Sequence, residues 1–155
     1  STREGLAFDT DLKSDVAPLN GLVADVLAAG AQVKFMRDPT RGGVAGVLVD
    51  LCEATGLSIA IDETAVPLTP AARHTAELLG FDPLNIANEG KAVIVVSAGD
   101  ADVVLQACRE HELGRDAAVI AEFGQETPPL VELCCRAGGR RIVQRPHGEN
   151  LPRIC

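Results

Sequence analysis

Residues 37–63 read "RDPTRGGVAGVLVDLCEATGLSIAIDE", and this stretch decides the fold class. Arg37–Gly43 holds a proline and two adjacent glycines, the punctuation of a loop. Gly43–Gly56 then carries apolar residues at helical spacing and stops at a glycine. Leu57, Ile59 and Ile61 alternate with smaller or polar residues, as in a strand. Upstream, "AQVKFM" (31–36) alternates Val33 and Phe35 with polar neighbours, a second short strand. A strand–loop–helix–strand order of this kind belongs to an α/β or α+β domain with helices packed on a sheet.

The flanks extend the pattern. "SDVAPLNGLVADVLAAG" (14–30) predicts a helix with Ser14 or Asp15 as its cap and Gly30 as its stop. "AARHTAELLG" (71–80) and "DADVVLQACREHELG" (100–114) predict two more, the latter capped by Asp100 and stopped at Gly114. "FDPLNIANEG" (81–90) is irregular. "KAVIVVSA" (91–98) is the strongest strand pattern, a β-branched run suited to the middle of a sheet. "AAVIAEFG" (117–124), "PLVELCCRA" (129–137) and "RRIVQR" (140–145) follow as strands, the last two joined by a Gly138-Gly139 hairpin turn. The expected architecture is a mixed β-sheet covered by helices over residues 1–145. Residues 146–155 form a separate tail without apolar periodicity.

With 155 residues the chain has room for one domain, and with no Trp or Tyr and 4 Phe its core must be aliphatic. A formal net charge of −8 argues against nucleic-acid and anionic-membrane surfaces, which need clustered cations. No apolar run is long enough to span a bilayer, and no signal peptide is visible. Five cysteines (52, 108, 134, 135 and 155) without CxxC spacing fit neither a disulfide framework nor a metal site, so no metal ligands are assigned. A reducing, cytoplasmic setting is expected, with Cys52 and Cys108 as core residues. The sequence opens without Met, as the back part of a longer protein would.

Three places carry candidate chemistry. In "RDPTRGG", Gly42 and Gly43 allow close approach of a ligand, and helix-start amides can hold an anion. Arg37 and Arg41 could meet a phosphate or carboxylate. The plain alternative is a tight turn in which Asp38 or Thr40 caps the helix. In "ANEGK" (87–91), Glu89 stands at the mouth of a strand, where a carboxylate can act as a general base. Asn88 could orient it or hold an amide, with Gly90 and Lys91 completing the loop. The alternative is a loop glutamate paired with Lys91. The third place is "RPHGENLPRIC", in which prolines suppress regular structure before a terminal thiol at Cys155. Lipidation and redox patterns do not match "PRIC", which leaves an acylated thiol on an arm as the functional option; the plain alternative is a terminal cysteine without a role. Extended, that arm would reach roughly 30–35 Å.

"SDVAPLNGLV", "RDPTRGGVA", "PLNIANEGK" and "NLPRIC" together resemble the C-terminal half of the HypE family of hydrogenase-maturation proteins. The looser elements are shared with aminoimidazole ribonucleotide synthase, selenophosphate synthetase and thiamine-phosphate kinase, and "PRIC" is the discriminating one. The resemblance implies a carbamoyl dehydratase with an aminoimidazole ribonucleotide synthase-like C-terminal domain. There, a HypF carbamoyltransferase loads the terminal cysteine, here Cys155. The thiocarbamate is dehydrated with ATP to a thiocyanate, and cyanide passes to a HypC–HypD complex. It further implies Glu89 as the proton-abstracting carboxylate. Asn88, Gly90, Lys91, Arg37, Asp38, Thr40, Arg41, Gly42 and Gly43 would shape the substrate or nucleotide site. Pro152, Arg153 and Ile154 would position the thiol. ATP and Mg2+ would be bound mainly by an N-terminal half, which also makes a homodimer. The competing expectations are a non-catalytic carrier module and another ATP-dependent synthase of the same fold.

Overall fold

The computed structural model describes residues 14–145. The tail expectations at Pro152, Arg153, Ile154 and Cys155 lie outside the described residues. Ten regular elements follow in chain order: α1 (Asn20–Ala28), β1 (Val33–Arg37), α2 (Gly43–Thr55), β2 (Ser58–Asp62), α3 (Pro70–Leu79), β3 (Val93–Val96), α4 (Ala101–Glu110), β4 (Ala121–Gly124), β5 (Val131–Cys134) and β6 (Arg140–Ile142). Short 3-10 turns occupy Pro83–Asn85, Ala98–Asp100 and Glu112–Gly114.

The strands form a four-stranded sheet in the order β4-β2-β5-β6 and a two-stranded ribbon of β1 and β3. In the larger sheet β2 and β5 are parallel, while β4 and β6 pair antiparallel on either side. A mixed sheet with helices is therefore present, as the alternation of elements predicts. Helix α2 covers it: Ala45, Leu48, Val49 and Cys52 pack on Ile59, Ile61, Val131 and Leu133. Ile61 is fully buried. A second core lies on the ribbon, where Leu22 and Val26 of α1 meet Val104 and Cys108 of α4, with Met36, Ile94 and Val96 against them.

Four expectations need correction. β3 is not at the centre of a sheet: among the described residues it pairs only with β1, and all four of its valine and isoleucine side chains are half-buried. A β-branched run reports burial on both faces, but not whether the covering layer is strand or helix. Val93 faces the first core and Ile94 and Val96 the second. Helix α1 starts at Asn20 with Leu19 at the cap position, so neither Ser14 nor Asp15 caps it. Pro18 explains this, since the residue before a proline is driven to extended backbone and the helix has to begin after it. Asp38 and Thr40 do not cap α2; the cap position is Gly42 in the left-handed region, with no side-chain bond. Asp100 precedes α4 without a side-chain cap bond, and its carboxylate instead accepts the Gln32 amide at 3.2 Å.

The punctuation by glycine holds elsewhere. Gly56 and Gly80 end α2 and α3 with φ of 69° and 68°. Gly138 and Gly139 turn the β5–β6 hairpin with φ of 88° and 82°, a conformation that side-chain-bearing residues resist.

Candidate functional site

The two loops singled out in the sequence meet. The Asn88 backbone N–H donates to the Pro39 carbonyl at 3.0 Å, tying the loop before β3 to the loop before α2. Between them and α1 lies an open cleft of about 360 Å3. Its polar side is Arg37, Asp38, Glu89 and Lys91, and its apolar wall is Ala17, Leu19, Val23 and Met36 with Ala92. A carboxylate and cations facing a small apolar wall suit a compact polar group.

The loop geometry follows from where backbones touch. At Gly90 the chain passes so close to Asp15 and Ala17 that an added Cβ would overlap the Asp15 carbonyl oxygen. It would also lie 2.7 Å from the Asp15 carbonyl carbon and 2.9 Å from the Ala17 amide nitrogen. Residues 14–19 thus lie as a strap across the "NEGK" turn. At Gly43 (φ 63°) a Cβ would run into the Leu84 carbonyl oxygen and stand 2.7 Å from that of Ile86. The close approach that Gly43 permits is used by loop 84–86, and its amide is directed to the Thr40 carbonyl at 3.3 Å. The start of α2 is therefore packed against protein at Gly43, while Gly42 beside it supplies the left-handed turn.

The side chains divide by partner. Lys91 Nζ donates to Asp15 Oδ2 at 3.0 Å and to Asn88 Oδ1 at 2.6 Å. Asn88 Nδ2 donates to the Ile86 carbonyl at 2.7 Å, so both ends of this amide serve the loop itself. Arg37 Nη1 meets Asp50 Oδ2 at 2.8 Å. The other Asp50 oxygen takes Arg145 at 2.7 Å, and Arg145 also reaches Glu53 at 2.8 Å. Arg145, after β6, is thereby held on the acidic face of α2. Arg41 is exposed and forms no ion pair among the described residues. Glu89 is half-buried in the cleft and likewise forms none; the simple Glu89–Lys91 pair is not made.

The structure brings Arg37, Asp38, Asn88, Glu89, Gly90 and Lys91 to one place; Thr40, Arg41, Gly42 and Gly43 are not part of the cleft lining. Sequence reasoning missed Asp15 and Asp50, which bind the two cations from outside the cleft lining. Asp15 lies 76 positions from Lys91, a separation no local spacing rule reaches. The Pro18 signal, which moves the helix start, was the available hint that Asp15 was free for another partner. Among the described residues no cluster of three or more metal-ligating side chains occurs, and no helix is long and apolar enough to cross a membrane. A separate cavity of about 310 Å3, bordered by Phe81, Leu84, Leu133 and Arg141, contains none of the residues flagged in the sequence.

Residues 1–129 match the family described as AIR synthase related protein, C-terminal domain. This chain belongs to that family. Over all of its length it is 49% identical to a carbamoyl dehydratase HypE of Rhizobium leguminosarum bv. viciae, of which it covers 45%. A crystal structure of a HypE–HypF complex matches with a TM-score of 0.86 at 43% identity, over 94% of this chain and 47% of the other. A hydrogenase maturation protein HypE in complex with ATP matches with a TM-score of 0.87 at 36% identity, over 100% of this chain and 48% of the other. The chain thus spans a little under half the length of the relatives it matches, and this family's domain accounts for its mixed sheet and covering helices.

Proposed function

We propose that this chain is the C-terminal domain of a HypE-type carbamoyl dehydratase, supplying the thiol that carries the substrate and the carboxylate that deprotonates it. The observation that carries the reading is the cleft in which Glu89, with no ion-pair partner among the described residues, faces an apolar wall beside Arg37 and Lys91. Similarity along the whole chain to a carbamoyl dehydratase supplies the reaction.

The chemistry sets what each residue has to do. Cys155 carries a carbamoyl group as a thiocarbamate, placed there by a HypF-type carbamoyltransferase. Conversion to a thiocyanate removes the carbonyl oxygen and two nitrogen-bound protons. ATP, when bound, supplies the phosphoryl group that makes the oxygen a leaving group. Glu89 accepts a proton from the nitrogen, and Asn88, Gly90 and Lys91 hold its loop in place. The apolar wall of Ala17, Leu19 and Val23 keeps water away from the activated carbon, where it would compete. Asp38, Thr40, Arg41, Gly42 and Gly43 border the nucleotide side, and Arg41, exposed and with no ion pair among the described residues, suits an anionic group. ATP and Mg2+ are assigned mainly to an N-terminal half, as the family resemblance implies. Pro152, Arg153 and Ile154 present the thiol to that site from the tail. A HypC–HypD-type acceptor, a homodimer of the complete protein and a cytoplasmic setting complete the proposal.

The test is mass spectrometry of the C-terminal peptide after reaction with the carbamoyltransferase. The adduct is expected on Cys155 and absent from Cys155→Ala. In the complete protein with ATP, the adduct loses water, and Glu89→Gln accumulates it unconverted. An adduct that survives Cys155→Ala, or conversion unchanged by Glu89→Gln, refutes the corresponding assignment.

A further inference from the structure

Both cations bordering the Glu89 cleft are held by carboxylates outside its lining. Lys91 is taken by Asp15 and the Asn88 amide oxygen, and Arg37 by Asp50. The two carboxylates that do line the cleft, Glu89 and Asp38, form no ion pair among the described residues. Lys91 stands two positions from Glu89 and borders the same cleft, on a flexible four-carbon stem. Of the nearby carboxylates, Asp15 takes it. Asp15 has the advantage because its backbone is fixed: its carbonyl and the Ala17 amide are packed onto Gly90. The carboxylate is delivered to Lys91 by a strap already in place, at small cost in side-chain freedom.

We propose that Asp15 is a positioning residue that holds the Lys91 ammonium off Glu89 and so leaves the Glu89 carboxylate without a counter-ion among the described residues. An adjacent cation favours the charged form of a carboxylate and occupies its lone pairs, which weakens it as a base. The other charged groups at the cleft do not replace Lys91: Arg37 is engaged by Asp50, and Asp38 has the same sign as Glu89. The electrostatic claim stands on geometry alone; its consequence for dehydration rests on the reading of Glu89 as the base.

NMR of the Lys91 side chain in the 155-residue chain tests the placement. The unsubstituted chain is expected to show the Lys91 ammonium in contact with Asp15 and not with Glu89, and Asp15→Ala to show it transferred to Glu89. Asp15→Asn, which keeps the side-chain shape and removes its charge, decides the matter if Asp15→Ala does not fold. The proposal is overturned if the unsubstituted chain already shows the ammonium on Glu89, or if a folded variant does not bring it there. In the complete protein, Asp15→Ala should slow conversion of the Cys155 adduct several-fold. A transferred ammonium with unchanged conversion upholds the placement of Lys91 and removes Glu89 from the chemistry.

Discussion

Gly90→Ala tests whether the strap over the "NEGK" loop is real. The added Cβ would overlap the Asp15 carbonyl oxygen and stand 2.9 Å from the Ala17 amide nitrogen. Both obstacles are backbone, so no rotamer change relieves them, and the strap and loop have to separate. Inserting one carbon into a packed site costs about 1–3 kcal/mol, and a backbone obstacle places this case at the upper end. For a chain of this size about 3 kcal/mol lowers Tm by roughly 6–12 °C. Thermal unfolding followed by circular dichroism measures it, with Gly99→Ala as the control, because a Cβ there meets nothing within 4 Å. The separation should also free Lys91 from Asp15, visible as a changed environment of both side chains by NMR. A Gly90→Ala protein that melts with the parent would refute the strap, and with it the geometry of the cleft's wall.

Four further outcomes follow from the packing. Ile61→Ala, fully buried at the centre of the larger sheet, should lose about 2–5 kcal/mol in urea unfolding. Thr69→Ala removes the hydroxyl that accepts the Ala72 amide at 3.2 Å and should cost α3 about 1 kcal/mol by the same assay. The Ser58 hydroxyl donates to Glu126 and holds its carboxyl below the ordinary value of 4.5. A carboxylate lowered in the folded state adds stability above its unfolded value, lost as pH falls through the folded one. Stability measured from pH 6 downward should therefore drop less steeply below about 4.5 in Ser58→Ala than in the parent. Burial raises the Cys52 and Cys108 thiols, so both should resist a thiol reagent at pH 7 until the chain is unfolded, which Ellman titration with and without denaturant checks.

The loop-helix-strand unit of residues 37–63 was legible because each of its signals is local. The glycine stops of α2 and α3 and the Gly138-Gly139 turn need only φ preferences, and α2 declares itself by its spacing. Glu89 and the "RDPTRGG" loop could likewise be singled out by residue type and position. The start of α1 lies after Pro18, whose steric effect overrides the capping pattern at Ser14 and Asp15. The "KAVIVV" run encodes burial and not pairing, so it does not distinguish a sheet centre from a two-stranded ribbon.

The sequence by itself determined the element types, the aliphatic core, the acidic surface and the residues with chemistry to offer, all properties of single residues or short windows. Only the tertiary structure decided that β3 joins a two-stranded ribbon and that two loops about 50 positions apart (Pro39 and Asn88) close one cleft. It also decided that Asp15, rather than Glu89, takes Lys91. Those are contests between partners distant in the chain. Their outcome depends on which backbone is already fixed in place, here the strap that Gly90, lacking a Cβ, allows to lie directly on the loop.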